Sequence, residues 1–313
     1  MNALLFPGQG SQVVGMGSEF YNNFPLVKKI FDQADKKLNY PLSKLILDGP
    51  EDQLQLTQNT QPAILTVSYS IFQVLKNEFN FNIKTFKYFA GHSLGEYSAL
   101  VCSEALEFDD ALYLLHERGK SMQKVVPVGE GKMIAVLGAK IDEVNTIIKS
   151  DFNSKGICEV ANDNADGQVI ISGDKSSVEA FQLSLREKKI KSIPLKVSAP
   201  FHCSLMKPAA EIMKEKINKI TFKKSKFEII NNVTAKSESD PNQIKRLLIE
   251  QIYSTVKWRE SIINMSKNGV KKFIEIGPGK VLTGMTKRTI KDANCFSINS
   301  IADIKNLEDE FKK

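Results

Sequence analysis

The chain has 313 residues, 42% hydrophobic and 25% charged, with a formal net charge of +7. That length can bury a large core in one big domain or two smaller ones, and the balance is that of an ordinary globular protein. No stretch has the apolar length of a membrane span, no basic run is interleaved with aromatics as nucleic-acid binding would ask, and Cys102, Cys158, Cys203 and Cys295 suit neither a zinc site nor a disulfide framework.

The opening residues, Met1 to Gly8, lack a basic region and a long apolar core. No signal peptide is expected, and a cytoplasmic monomer is the default. Only five of the 43 basic residues are arginines, at 118, 186, 246, 259 and 288. Each arginine therefore raises the question of whether lysine would have served. The net positive charge favours an acidic or phosphorylated partner, although solvated lysine faces give the same balance.

Asn2 to Phe6 reads as a short buried strand, followed by the glycine-rich loop Pro7-Gly8-Gln9-Gly10-Ser11-Gln12. The loop lacks the lysine of a phosphate cradle and is read as a strand-to-helix turn. Helices are predicted from about Pro25 to Leu38 and from about Gln61 to Glu78, with Pro25 and Pro62 near their first turns. Phe86-Lys87-Tyr88-Phe89 then reads as a strand and Leu94 to Cys102 as a helix. Between them lies Gly91-His92-Ser93-Leu94-Gly95. Strand, sharp turn and helix are the setting of a nucleophile elbow. Glycines two before and two after the serine leave room for the turn, and the helix N-terminus favours a developing oxyanion. Without that setting, Gly-x-Ser-x-Gly is only a glycine-flanked turn.

Asp109 to Lys124 has helical periodicity and carries His116 and Arg118, either of which suits a solvated helix face. The next segment changes pattern. Lys132–Leu137, Ile157–Ala161, Gln168–Ser172 and Lys191–Leu195 read as strands, Ile141–Lys149 and Ser176–Lys188 as helices, and Asn162 to Gly167 as a turn. The order βαββαβ is that of a ferredoxin-like unit. It is assigned to residues 128–197, an inserted subdomain with crossings at Gly129-Glu130-Gly131 and Ser198-Ala199-Pro200. Residues 1–127 and 198–313 form the larger domain. Its second part has helices at Ser204–Ile220 and Pro241–Tyr253, strands at Phe227–Val233, Lys272–Ile276 and Phe296–Ile298, and a helix after Gly277-Pro278-Gly279. Alternating strands and helices predict an α/β domain with a mainly parallel sheet.

A serine nucleophile needs a base. His92 precedes Ser93, so its side chain leaves in another direction and supports the turn; His116 lies mid-helix. By elimination His202 is the candidate, in Pro200-Phe201-His202-Cys203 beside a domain crossing. Its competing role is capping or packing the helix that follows. Cys203 is adjacent to His202, and adjacent side chains seldom converge, so it is read as a buried thiol. No acid stands out to orient the histidine, and a backbone carbonyl can do that work.

Taken in order, several segments resemble the malonyl-CoA:acyl carrier protein transacylase family of bacterial fatty-acid synthesis. They are Phe6 to Gln12, Gly91 to Leu100, Arg118 to Gln123, Val160-Ala161-Asn162, Gln251-Ile252-Tyr253 with Trp258, and Glu275 to Lys280. The resemblance implies a hydrolase-like α/β domain with a ferredoxin-like insert. It implies Ser93 as the acylated nucleophile, His202 as its base, and the backbone N–H groups of Gln9 and Leu94 as the oxyanion hole. Arg118 would pair with the malonyl carboxylate, and the Gln251 main-chain carbonyl would orient His202. Met122, Asn162 and Phe201 are candidates for the pocket lining. Such proteins also carry a small residue at the position of Phe201, which leaves the pocket's shape open. Malonyl-CoA and an acidic acyl carrier protein are the implied substrates, with no metal and no cofactor. A serine hydrolase or thioesterase shares the elbow and base, and a non-catalytic docking subunit would retain the pattern without the chemistry.

Overall fold

Short apolar runs between glycine-rich turns form the strands, and stretches of helical period form the layers around them. The computed structural model describes residues 1–79, 81–127, 129–151, 156–197 and 199–312. Val128 and Ser198, at the two expected crossings, lie outside the described residues.

From the N-terminus the elements are β1 (Asn2–Phe6), α1 (Ser18–Asn23), α2 (Pro25–Leu38), α3 (Leu42–Asp48), α4 (Glu51–Leu54), α5 (Thr57–Glu78), β2 (Phe86–Gly91), α6 (Gly95–Cys102) and α7 (Phe108–Lys124). A second group follows: β3 (Gly131–Leu137), α8 (Ile141–Asp151), β4 (Cys158–Ala165), β5 (Gln168–Asp174), α9 (Lys175–Glu187) and β6 (Lys191–Pro194). The chain ends with α10 (Lys207–Lys219), β7 (Glu228–Ile230), β8 (Ser237–Glu238), α11 (Pro241–Gln251), α12 (Trp258–Lys267), β9 (Lys272–Ile276), α13 (Val281–Thr289), β10 (Asn294–Ile298) and α14 (Ile301–Lys312).

The first and last groups share a six-stranded sheet of order β10-β9-β1-β2-β7-β8. Its pairs are parallel except the β7–β8 edge. β1 lies between β2 and β9, so the chain leaves it for both halves of the sheet, the place where open α/β sheets put their ligands. The middle group forms an antiparallel sheet of order β4-β5-β3-β6. That order is the ferredoxin-like arrangement, with the first and third strands of the unit at its centre.

Several readings from the sequence change. Asn162 to Gly167 is not all turn: β4 runs on to Ala165. The reason lies far along the chain. Val256 N–H donates to the Ala161 carbonyl at 2.9 Å, and Asp163 N–H donates to the Val256 carbonyl at 3.0 Å, so turn-forming residues are held extended. Arg259 Nε then donates to both Asp163 carboxylate oxygens at 3.0 Å. These bonds join the smaller sheet to the larger part of the molecule. Pro62 is inside α5 rather than in its first turn, because the helix starts at Thr57. A proline there leaves the Gln58 carbonyl without its helical donor. His116 Nδ1 takes that place at 3.0 Å, so His116 is a packing partner of α5 and not a solvated residue. β7 is shorter than expected, and α12, which buries Trp258, was not foreseen.

α5 and α7 cross closely at Gly119, where a Cβ would stand 2.4 Å from the Gln58 Cα. Gly119→Ala should therefore destabilise the fold by about 1–3 kcal/mol, the cost of overpacking. Helix propensity alone would give the opposite sign. A urea midpoint at or above the parent's would show that the two helices can move apart freely.

Candidate active site

The loops after β1, β2 and β7 meet over the carboxyl ends of the sheet. Register places Phe6 opposite Gly91, and His92 N–H donates to the Phe6 carbonyl at 3.1 Å. The turn that follows is as tight as the motif requires. A Cβ on Gly91 would lie 1.8 Å from the Gly95 carbonyl oxygen, and one on Gly95 would lie 2.2 Å from that of Phe6. Ser93 has φ 53°, and His202 has φ 58°. Two non-glycine residues in the left-handed region, facing one another, mark strain held at a site by its surroundings.

The Ser93 Oγ lies 2.8 Å from His202 Nε2, and His202 Nδ1 lies 2.8 Å from the Gln251 carbonyl oxygen. A carbonyl only accepts, so Nδ1 carries the proton and Nε2 is left to accept from the serine hydroxyl. No acid completes this row; a backbone oxygen does. Burial, and then the nearby Arg118 charge, lower His202 to about 3, which keeps the imidazole neutral.

Arg118, which the sequence left open as a surface residue, is only 2% exposed. It comes from α7 into the same cluster. Its Nη1 donates to Gln61 Oε1 at 2.7 Å, and its Nη2 donates to Gln251 Oε1 at 2.9 Å and to Ser93 Oγ at 3.2 Å. Its Nε has no hydrogen-bond partner among the described residues. Each of its acceptors among the described residues is uncharged. Among the described residues the acid linked to it, Glu96, is one amide away: Gln251 Nε2 donates to Glu96 Oε2 at 2.7 Å.

Glu96 and Asn232 organise the floor of the site, and neither role was read from the sequence. Asn232 Oδ1 accepts the Ser93 N–H at 2.7 Å, while its Nδ2 donates to the Gly91 carbonyl at 2.8 Å. One amide thus satisfies two backbone groups that the sharp turn strands. Glu96 accepts from Asn231 Nδ2 at 2.7 Å and from the Asn232 N–H at 3.1 Å. Burial pushes its carboxyl up to about 7. The donors around it are all N–H groups, which favours the carboxylate form. The signal that could have found this pair is a run of two asparagines closing a buried strand.

Above these residues lies a cavity of about 420 Å³ between the two sheets. Met122, Asn162 and Phe201, the candidates for the pocket lining, face it, as do Gln9 and Leu94, the candidates for the oxyanion hole. Among the described residues the Gln9 and Leu94 N–H groups are in no backbone hydrogen bond outside regular elements. Met133 from the smaller sheet closes the opposite wall, a contribution not foreseen. His92 faces away from the serine's partners: its Nε2 lies 2.8 Å from Asn164 Oδ1 and its ring meets Trp258 edge-on. Cys203 donates to the Pro200 carbonyl at 3.2 Å, and burial raises its thiol to about 11, so it is a packed thiol.

Residues 3–312 match the acyl transferase domain family. The chain is 45% identical over 287 residues to the malonyl CoA-acyl carrier protein transacylase of Bacillus subtilis, covering 91% of this chain and 89% of that one. The chain belongs to the malonyl-CoA:acyl carrier protein transacylase family. Solved transacylase structures agree. The acyl-carrier-protein S-malonyltransferase of Bartonella henselae superposes with a TM-score of 0.96 at 39% identity, covering 100% of this chain and 99% of that one. A malonyl-transacylase in complex with its type II PKS acyl-carrier protein superposes with a TM-score of 0.94 at 39% identity, covering 98% and 99%.

A base whose pKa is depressed stays unprotonated as the pH falls. Modification of Ser93 by an uncharged fluorophosphonate should therefore keep its rate from pH 8 down past the ordinary imidazole value of about 6.5. Arg118→Ala removes the neighbouring charge and should move the acid fall upward. A parent rate that already halves near 6.5 would show an unperturbed His202.

Proposed function

We propose that this transacylase moves a malonyl group from malonyl-CoA to the phosphopantetheine thiol of an acyl carrier protein, through an ester on Ser93. The observation that carries this reading is a buried guanidinium on the nucleophile itself, held by neutral oxygens and lacking an acid of its own. A desolvated charge is costly unless it is paired. The free carboxylate of a malonyl thioester supplies that pair, and arginine can meet it with two parallel N–H···O bonds.

In the first half-reaction Ser93 Oγ attacks the thioester carbon as His202 Nε2 takes its proton. The Gln9 and Leu94 N–H groups receive the oxyanion. The C–S bond breaks, and coenzyme A leaves as a thiol with the proton from His202. In the second half the carrier's pantetheine thiol gives its proton to His202, and its sulfur attacks the ester. The Ser93 oxygen leaves and takes the proton back. Gln251 keeps the imidazole in the tautomer that both halves need. Met122, Asn162 and Phe201 shape the space for the acyl group. Thioester and oxyester exchange is acyl transfer, and it asks for neither a metal nor a redox cofactor. All of the named groups come from one chain. Lys196 lines the mouth of the cavity, and with the net positive charge it supports docking of an acidic carrier.

Incubation with malonyl-CoA should add one malonyl mass to the intact protein and none to Ser93→Ala; a shift on the alanine variant would place the nucleophile elsewhere. Arg118→Ala should weaken malonyl transfer by about 3 kcal/mol, as expected for a desolvated carboxylate left unpaired, with a far smaller loss for acetyl-CoA. Arg118→Lys should recover part of the malonyl rate. Equal losses in kcat/KM for both substrates would make Arg118 a structural residue. Transfer to the carrier protein should slow as salt rises, while transfer to free pantetheine should not; equal salt responses would remove the electrostatic docking.

A further inference from the structure

Resting on the reading of Arg118 as the carboxylate clamp, we infer that Thr57 and Gln61 are positioning residues that tie this clamp to the oxyanion loop carrying Gln9. Three hydrogen bonds form the tie. Arg118 Nη1 donates to Gln61 Oε1 at 2.7 Å, Gln61 Nε2 to Thr57 Oγ1 at 3.0 Å, and Thr57 Oγ1 to Gln9 Oε1 at 2.9 Å. The direction is forced. A guanidinium can only donate, so Gln61 must turn its oxygen toward Arg118 and its amide toward Thr57. The threonine hydroxyl then spends its single proton on Gln9.

Thr57 and Gln61 are each 1% exposed, while Gln9 at the cavity end is half-buried. It is also placed by the fold. Gly119 lets the first turn of α5 lie against α7, which brings Thr57 and Gln61 beside Arg118. At the other end Gln9 sits in a loop braced on either side of it: Ser11 Oγ donates to the Gly8 carbonyl at 2.8 Å and the Gly10 N–H donates to Gln12 Oε1 at 2.7 Å. Its neighbour Gly10 has φ 102° and nothing near the position a Cβ would take. Gln12 ties the loop to Gln55, and the bond to Thr57 is the one that the Gln9 side chain itself makes to α5.

The chemistry gives the tie a purpose. In a malonyl thioester the carboxylate and the reacting carbonyl are one methylene apart, so the groups that receive them must keep a fixed spacing. The row from Arg118 to Gln9 sets that spacing. Acetyl thioesters, which carry no carboxylate, need only one end of it.

Thr57→Val keeps the shape and removes the hydroxyl, while Thr57→Ser keeps the hydroxyl. Loss of one such bond should lower kcat for malonyl-CoA about tenfold in Thr57→Val with little change in KM, and Thr57→Ser should stay near the parent. In an Arg118→Ala background the added effect of Thr57→Val should shrink below about twofold, because linked residues do not act additively. Should Thr57→Val fold poorly, Gln61→Met breaks the same row and is read by the same comparison. Valine and serine variants that behave alike would overturn the inference. So would an undiminished Thr57→Val effect in the Arg118→Ala background, with the clamp itself intact. Arg118→Ala alone, measured with malonyl- and acetyl-CoA, reports on the clamp: equal losses there would overturn both.

Discussion

A positive charge taken out of water is the constraint from which the rest of this site follows. Arg118 is buried against Ser93, and burial lowers its affinity for its proton without removing it. A carboxylate in contact would have settled the charge and closed the site. The protein instead surrounds the guanidinium with amide oxygens from Gln61 and Gln251 and keeps Glu96 one amide away. The charge is tolerated but left available. Its field falls on His202 as well and adds to burial in keeping that imidazole neutral.

Gln251 links these demands. Its backbone oxygen holds His202, its side-chain oxygen holds Arg118, and its amide nitrogen reaches Glu96 and the Ser93 carbonyl at 3.1 Å. It is the last residue of α11, where a helix carbonyl has no partner within the helix and is free to orient a histidine. The acid that a hydrolytic triad would place on the imidazole is thus replaced by a helix end. Asn232 does the matching work on Ser93, holding a backbone conformation that serine would not choose for itself.

Ser93 and His202 were legible as candidates because each lies in a short segment with its own grammar, whereas Arg118 stood out only through the family resemblance. Gly91 and Gly95 announce the turn, and only three histidines compete to be the base. The βαββαβ order was legible because its elements are local. What could not be read depends on distant partners. Asn162-Asp163-Asn164 has the composition of a turn, yet it is strand because Val256 holds it. The start of α5 was placed too late because Pro62 resembles an N-terminal proline, which hid Thr57 as a helix residue facing the cavity. Glu96 and Asn232 look like any solvated polar residue until the fold buries them to 1% and 0%.

The bonds between Val256 and β4 have a mechanical consequence. Val256 continues the edge of the smaller sheet, so the two walls of the cavity are stitched by main chain, with the Arg259–Asp163 pair as a clasp beside the seam. Such a cavity behaves as a rigid mould rather than a jaw. Spreading its walls to admit a bulkier acyl group would break backbone hydrogen bonds and uncover a buried carboxylate, whereas paring back a side chain such as Met133 or Phe201 breaks none of them. The size of the group that fits is therefore governed by the side chains facing the space, while the seam sets the spacing of the walls that carry them.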